Sequence, residues 1–123
     1  MKDGENMKKT NWGRYGEDEA CRYLEKRGYR LKARNFRRLR GEIDLVMEDG
    51  SALVFIEVKT RCTMRYGQPR EAVTDVKQKR IRRCAVQYLA ERETGSRPVR
   101  FDVVEVMAGP GGTVRLYHLR NAF

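Results

Sequence analysis

The chain has 123 residues and a mass of 14.4 kDa, which is enough for one folded domain around one hydrophobic core. It carries 27 Lys and Arg against 17 Asp and Glu, a formal net charge of +10, and no apolar run long enough to span a membrane. The charged N-terminus lacks the apolar stretch of a secretory signal, and the three cysteines are widely spaced. These features argue against a membrane protein, a disulfide-stabilised secreted domain and a zinc knuckle, and they predict a cytoplasmic protein.

In chain order, the first half predicts one helix and three strands. We expect a disordered tail over residues 1–10, a helix over 12–27 that ends at Gly28, and a domain that covers 11–123. Residues 29–34 alternate as a strand does, with Tyr29, Leu31 and Ala33 facing the core, and a basic loop is expected over 35–41. Two further strands, 43–47 and 53–59, flank a hairpin turn at Asp49-Gly50.

The second half predicts a long loop, one helix and two strands. Residues 60–74 contain Gly67 and Pro69 and show no periodicity, so they are expected to form the loop. A helix begins near Asp75, and strands are expected over 99–107 and 113–119. The predicted order is α-β-β-β-α-β-β, an α/β domain with a mixed sheet flanked by helices.

Charge is distributed unevenly along this order. Residues 26–40 contain eight basic side chains and no acidic one, and residues 76–99 are again basic. Between them, residues 41–60 contain five acidic side chains and only Lys59 as a base. Basic flanks of this kind neutralise phosphates and release counterions, so they favour a nucleic acid as the partner. The alternative is a soluble protein that is basic without binding a polyanion.

The acidic centre is the most informative part of the sequence. If Asp49-Gly50 forms a two-residue turn, Asp44 pairs with Phe55 and lies diagonal to Glu57, roughly 7–8 Å away on the same face. Lys59 lies one pleat beyond Glu57, and Glu17 lies on the inward face of the first helix. Two carboxylates without a nearby His or Cys suit Mg²⁺ or Mn²⁺ rather than zinc. The plain structural alternative is a cross-strand salt bridge on a half-exposed sheet.

Several motifs together resemble the YraN family of small bacterial proteins. The matching segments are Gly16-Glu17, Gly28-Tyr29, Gly41-Glu42-Ile43-Asp44-Leu45, Phe55-Ile56-Glu57-Val58-Lys59 and Arg100-Phe101-Asp102-Val103-Val104. The resemblance implies a restriction-endonuclease-like fold in the PD-(D/E)xK nuclease superfamily, similar to archaeal Holliday junction resolvases. Ile43 replaces the superfamily's Pro before the Asp, and Cys84 replaces the Gln that precedes the helix Tyr in some branches.

This resemblance implies a catalytic set of Asp44, Glu57, Lys59 and Glu17, in which Asp44 and Glu57 hold Mg²⁺ or Mn²⁺. The expected function is hydrolysis of DNA phosphodiester bonds, on branched or otherwise structured DNA, and paired cutting of a duplex would favour a homodimer. The side chains expected to contact the nucleic acid are basic, and they are Arg34, Arg37, Arg38, Arg40, Arg61, Lys77, Lys79 and Arg80.

Two other functions stay open on the sequence. The first is a binding module that retains the nuclease fold without catalysis, and the second is a small RNA- or ribosome-associated protein. DNA is preferred to RNA as the partner, and no membrane is expected. The enzyme would depend on a divalent metal, whereas the binding module would not, and this difference distinguishes them.

Overall fold

The computed structural model describes residues 3–62, 73–92 and 95–123, with side chains from residue 11 onward. Its element order is the predicted α-β-β-β-α-β-β. The bounds are α1 Asp3–Glu25, β1 Arg30–Arg38, β2 Gly41–Asp49, β3 Ala52–Cys62, α2 Asp75–Arg92, β4 Val99–Ala108 and β5 Val114–Leu119. In the described part of the chain, no helix combines the length and the apolar character needed to cross a membrane.

The five strands form one mixed sheet in the order β1-β2-β3-β4-β5. Neighbours pair antiparallel except β3 and β4, which are parallel and are connected through α2. The apolar stripe of α2, which includes Ile81, Cys84 and Tyr88, packs on one face, and Ala20 and Leu24 of α1 pack on the other. The expected α/β architecture with a helix on each face is therefore confirmed.

Two glycines of the quoted motifs let the helices approach the sheet closely. A Cβ at Gly16 of α1 would collide with Thr60 Oγ1 of β3. A Cβ at Gly41 of β2 would lie 2.5 Å from the backbone oxygen of Arg80 in α2. Both positions therefore need a residue without a side chain, and they fix α1 and α2 against the strands that carry the acidic centre.

The expected basic loop over residues 35–41 is mostly strand. β1 continues to Arg38 and pairs with β2 as far as Gly41, so only Leu39 and Arg40 form the turn. Both turn residues have positive φ, 53° and 65°, as a tight hairpin turn requires. The prediction was wrong because Leu-Arg does not carry the Asn-Gly or Asp-Gly pattern that usually marks such a turn.

Two details of the first elements also differ from the prediction. Helix α1 begins at Asp3 rather than near residue 12, so its backbone covers most of the segment expected to form a disordered tail. Leu31 was expected to face the core and is 38% exposed, because the pairing of β1 with β2 shifts between Leu31 and Ala33. A bulge of this kind breaks the alternation on which the prediction rested.

The hairpin between β2 and β3 has a different register from the expected one. Asp49 pairs with Ala52 and Val46 pairs with Phe55, so Gly50 and Ser51 form the turn. In the observed register, the partner of each β2 residue lies two positions further along β3 than expected. The predicted neighbours Asp44 and Glu57 therefore remain close together. Strand β3 extends to Cys62, and the middle of the expected loop, residues 63–72, lies outside the described residues.

Candidate active site

Strands β2 and β3 separate at the acidic residues Asp44 and Glu57. Pairing between β2 and β3 ends at Leu45 and Ile56, although both strands continue beyond that point. Beyond the split, β2 stays paired with β1 and β3 stays paired with β4. We call the gap between residues 41–44 of β2 and 57–62 of β3 the sheet fork. Asp44 and Glu57 are the first residues beyond the last pair, so they lie across from each other at its apex.

The side chain of Asp44 points across the fork. Its Oδ2 accepts a hydrogen bond from the backbone N–H of Val58 at 2.8 Å, in place of the backbone carbonyl of a continued sheet. Burial of this carboxyl and the nearby negative charge of Glu57 raise its pKa to about 8, against the lowering effect of the Val58 bond. Glu17 and Glu42 add smaller contributions in the same direction. Negative charge at this point is therefore incompletely compensated within the protein.

Glu57 is buried and pairs with a cation from helix α2. Its side chain is 6% exposed, and its Oε2 lies 2.5 Å from Nζ of Lys77, whose side chain is 51% exposed. Lys77 was expected to bind nucleic acid, and the structure brings its ammonium to one of the two expected metal ligands. Nothing in the spacing of the sequence indicates this contact, because the ion pair spans a helix and a strand 20 residues apart.

Glu17 lies beside the fork and is held by β1. Its carboxylate accepts hydrogen bonds from Asn35 Nδ2 at 3.1 and 3.2 Å and from Arg34 Nη2 at 3.3 Å. The same Asn35 amide donates to Glu42 Oε2 at 3.1 Å, so one side chain bridges two acidic residues. Asn35 adopts a left-handed conformation with φ of 51°, which Asn tolerates better than most residues. The sequence analysis did not predict this bridging position of Asn35.

Lys59 lies two residues beyond Glu57 on β3 and is half-buried. Lys59, Glu57 and Lys77 line one depression of about 460 Å³. Lys59 also lies beside Glu105 of β4, a fully buried carboxylate that the sequence analysis missed. The signal for Glu105 is a single charged residue within the apolar run of β4. Lys59 therefore occupies the predicted place next to Glu57.

A cavity of about 450 Å³ opens over the fork. Asp44, Glu42 and Glu57 line one side of it, and Lys77 and Arg80 of α2 line the other. In the described part of the chain, no group of three or more His, Cys, Asp or Glu side chains is placed to hold a metal ion. Mg²⁺ in phosphate chemistry typically binds through one or two carboxylates and fills its remaining positions with water and phosphate oxygens. The hard oxygen pair of Asp44 and Glu57 fits that kind of site.

Most of the basic residues expected to contact nucleic acid fall into two groups. Arg34 pairs with Asp18 and Glu17, Arg37 with Glu42, and Arg38 with Glu91. Arg40, Lys79 and Arg80 are exposed and have no acidic partner within the described residues, and Arg40 and Arg80 line the cavity over the fork. Arg61 lies half-buried near the end of β3. Of the residues expected to contact nucleic acid, Arg40 and Arg80 at the cavity rim and Lys79 on the same helix as Arg80 therefore keep their charge available.

Comparison with known proteins places this arrangement in a family. Residues 16–106 match the family described as "Uncharacterised protein family UPF0102". A UPF0102 protein of Symbiobacterium thermophilum is 52% identical over 111 residues, which cover 90% of this chain and 94% of the relative. The chain belongs to the UPF0102 family. UPF0102 proteins of Rhodococcus opacus and Frankia casuarinae are 49% and 50% identical, with the same coverage of both chains.

The UPF0102 match includes every residue of the fork described above. It begins just before Glu17 and ends beyond Lys77 and Glu105, so both helices and strands β1–β4 contribute to it. The family description and the names of these relatives state no activity.

Proposed function

We propose that this UPF0102 protein is a metal-dependent nuclease that hydrolyses phosphodiester bonds of DNA. The observation that carries the proposal is the sheet fork, where Asp44 and Glu57 lie across from each other under a cavity rimmed by basic side chains. Paired carboxylates beside a positively charged rim are what metal-assisted cleavage of a polyanion requires. The resemblance to the YraN family and its nuclease-like superfamily supports the same reading.

Each side chain of the fork has a role in this proposal. Asp44 and Glu57 would hold Mg²⁺ or Mn²⁺, and the bound cation would supply positive charge against the charge that develops on the phosphate. Lys59, beside Glu57, orients the attacking water or offsets charge on the phosphate. Glu17, held by Asn35 and Arg34, adds negative charge behind Asp44 and supports the metal site directly or through water.

The nucleic acid is held by its backbone in this proposal. Arg40 and Arg80 line the cavity and have no acidic partner among the described residues, so their charge is available for phosphates. Contacts of this kind do not read base sequence, which suits an enzyme that selects DNA by its structure. Branched or otherwise structured DNA is the proposed substrate, and a homodimer would bring two forks to the two strands of a duplex.

One observation favours a second candidate function. Lys77 already compensates Glu57, so the buried carboxylate does not depend on a metal ion for a counter-charge. The same structure would serve a module that binds nucleic acid without cleaving it. In that case the basic rim would still bind DNA, and divalent metals would not be needed.

A cleavage assay distinguishes these two functions. We would incubate a four-way junction, a flap, a single strand and a linear duplex with Mn²⁺ and compare the wild type with Glu57→Gln. The nuclease predicts cleavage by the wild type and a loss of at least about 100-fold in the variant, with DNA binding retained. Glu48→Gln, which removes a carboxylate from the same hairpin away from the fork, is the matched control and should cleave normally. Absence of cleavage by the wild type, with binding intact, would contradict the nuclease and leave the module.

A further inference from the structure

We infer that Lys77 is an internal competitor for the divalent cation, because its ammonium group pairs with Glu57 and must leave before a metal binds that carboxylate. The inference rests on the proposed metal site at Asp44 and Glu57. It assigns to Lys77 a control of metal affinity, rather than the contact with nucleic acid that its charge alone suggested.

The geometry of the Lys77 contact supports competition. Nζ of Lys77 lies 2.5 Å from Oε2 of Glu57, whose side chain is almost fully buried. A divalent cation on the same carboxylate would lie within a few ångströms of that ammonium, and like charges at this separation repel strongly in a partly buried site. The two cations therefore exclude each other at Glu57.

The position of Lys77 in helix α2 supports a functional role for this residue at the proposed metal site. The backbone N–H of Lys77 donates to Thr74 Oγ1 at 3.2 Å, which places Lys77 in the first turn of α2. The positive end of the helix dipole disfavours a cation there, and Asp75 in the same turn is the usual choice. Lys77 thus breaks a local rule, and such violations concentrate at functional sites.

The charge balance around Lys77 supports the same view. Lys77 pairs with Glu57, and Asp44 and Glu42 line the same cavity as this pair. The ammonium therefore sets a positive charge against Glu57, where a metal ion would set one. Since half of the Lys77 side chain is exposed, its flexible stem allows the ammonium to swing away when a metal replaces it.

Binding of Mn²⁺ alone tests this inference without any cleavage. Calorimetric titration of the full chain should show that Lys77→Met binds Mn²⁺ about tenfold more tightly than the wild type, because Glu57 loses its competing cation. Lys77→Gln, which is neutral but still able to donate a hydrogen bond, should also bind more tightly and guards against a folding defect in the first variant. Arg83→Met removes an exposed charge of the same helix that has no acidic partner among the described residues, and it should match the wild type.

The outcomes separate this inference from the proposed function. Unchanged or weaker Mn²⁺ binding in both Lys77 variants, with clear binding by the wild type, would overturn the competition and leave the metal site intact. A merely structural Lys77 predicts this weaker binding, because removing it would disturb the fork. Absence of Mn²⁺ binding in the wild type and in both variants would overturn the competition together with the metal site.

Discussion

Two aspartates of the sheet, the fully buried Asp102 and the partly buried Asp44, have opposite electrostatic surroundings. Asp102 of β4 is fully buried, and it accepts hydrogen bonds from Arg100, from the Asn121 backbone N–H and at 2.7 Å from His118 Nε2. Burial alone would raise the pKa of Asp102, yet the bonds to His118, Arg100 and Asn121 lower it overall. Asp44 accepts one backbone hydrogen bond and faces Glu57, and its pKa rises to about 8.

This difference separates a structural carboxylate from a candidate functional one. The partners of Asp102 supply positive charge and donors, so its ionised form is stable inside the protein. Asp44 is placed where its own protein disfavours the ionised form, which is the arrangement expected when a further cation is needed. Burial acts to raise the pKa of both carboxyls, and the count and charge of their neighbours decide the opposite outcomes.

The largest effect on stability should come from the compensated site. Asp102→Asn removes the charge that Arg100 and His118 surround, and we expect a loss of about 3 kcal/mol in the free energy of unfolding. Denaturant unfolding at pH 7 measures it. Asp49→Asn is the matched control, because Asp49 also pairs with Arg100 but is one-third exposed, and it should lose about 1 kcal/mol or less. Equal losses in the two variants would show that the partners of Asp102 stabilise the fold no more than the more exposed ion pair of Asp49 does.

The sequence predicted the fold well where periodicity or turn chemistry is local. The apolar stripe of α2, the turn at Gly28 that follows the end of α1 at Glu25 and the order of all seven elements follow from spacing and composition. The left-handed Asn35 and the Leu39-Arg40 turn were missed, because tertiary pairing with β2 imposes conformations that these residues do not signal. The bounds of strands β1 to β3 were underestimated for the same reason.

For the candidate site, the sequence identified the residues better than their geometry. Asp44 and Glu57 come together as predicted, but they do so across a split sheet rather than diagonally on one flat face. The contacts of Lys77 with Glu57 and of Asn35 with Glu17 join separate elements, and no spacing rule within one element reports them. Such contacts depend on how helices are placed on the sheet, which packing decides.

The next largest effect on the free energy of unfolding comes from Asp44. It has the opposite sign, because a substitution there should stabilise the protein. Folding raises the pKa of Asp44 from 3.8 to about 8, so the folded protein binds this proton more tightly than the unfolded chain. The free energy of unfolding should therefore fall as pH rises from about 4 to about 8. Asp44→Asn removes this penalty and should stabilise the metal-free protein by about 1 kcal/mol at pH 8.

Unfolding of both proteins between pH 5 and pH 9 measures this effect, with a chelator present. The wild type should lose stability relative to Asp44→Asn as pH rises, whereas added Mn²⁺ should stabilise only the wild type. A wild type that stays more stable than Asp44→Asn across the range would mean that the fork compensates Asp44 as fully as β4 and β5 compensate Asp102.

The smallest predicted effect is on DNA binding by the basic residues around the cavity. As with the two aspartates, these cations differ in whether a partner of opposite charge already holds them. Arg38 holds Glu91 through two hydrogen bonds of 2.8 and 2.9 Å, whereas Arg40 and Arg80 have no acidic partner among the described residues. A guanidinium already paired with a carboxylate has to give up that partner to neutralise a phosphate.

Arg40→Gln and Arg80→Gln should therefore each weaken DNA binding a few-fold and reduce the slope of log affinity against log salt by about 1. Arg38→Gln should change that slope by less, and fluorescence anisotropy with one duplex at several salt concentrations measures all three. An equal reduction in all three variants would place the DNA along the whole β1–β2 hairpin rather than over the fork.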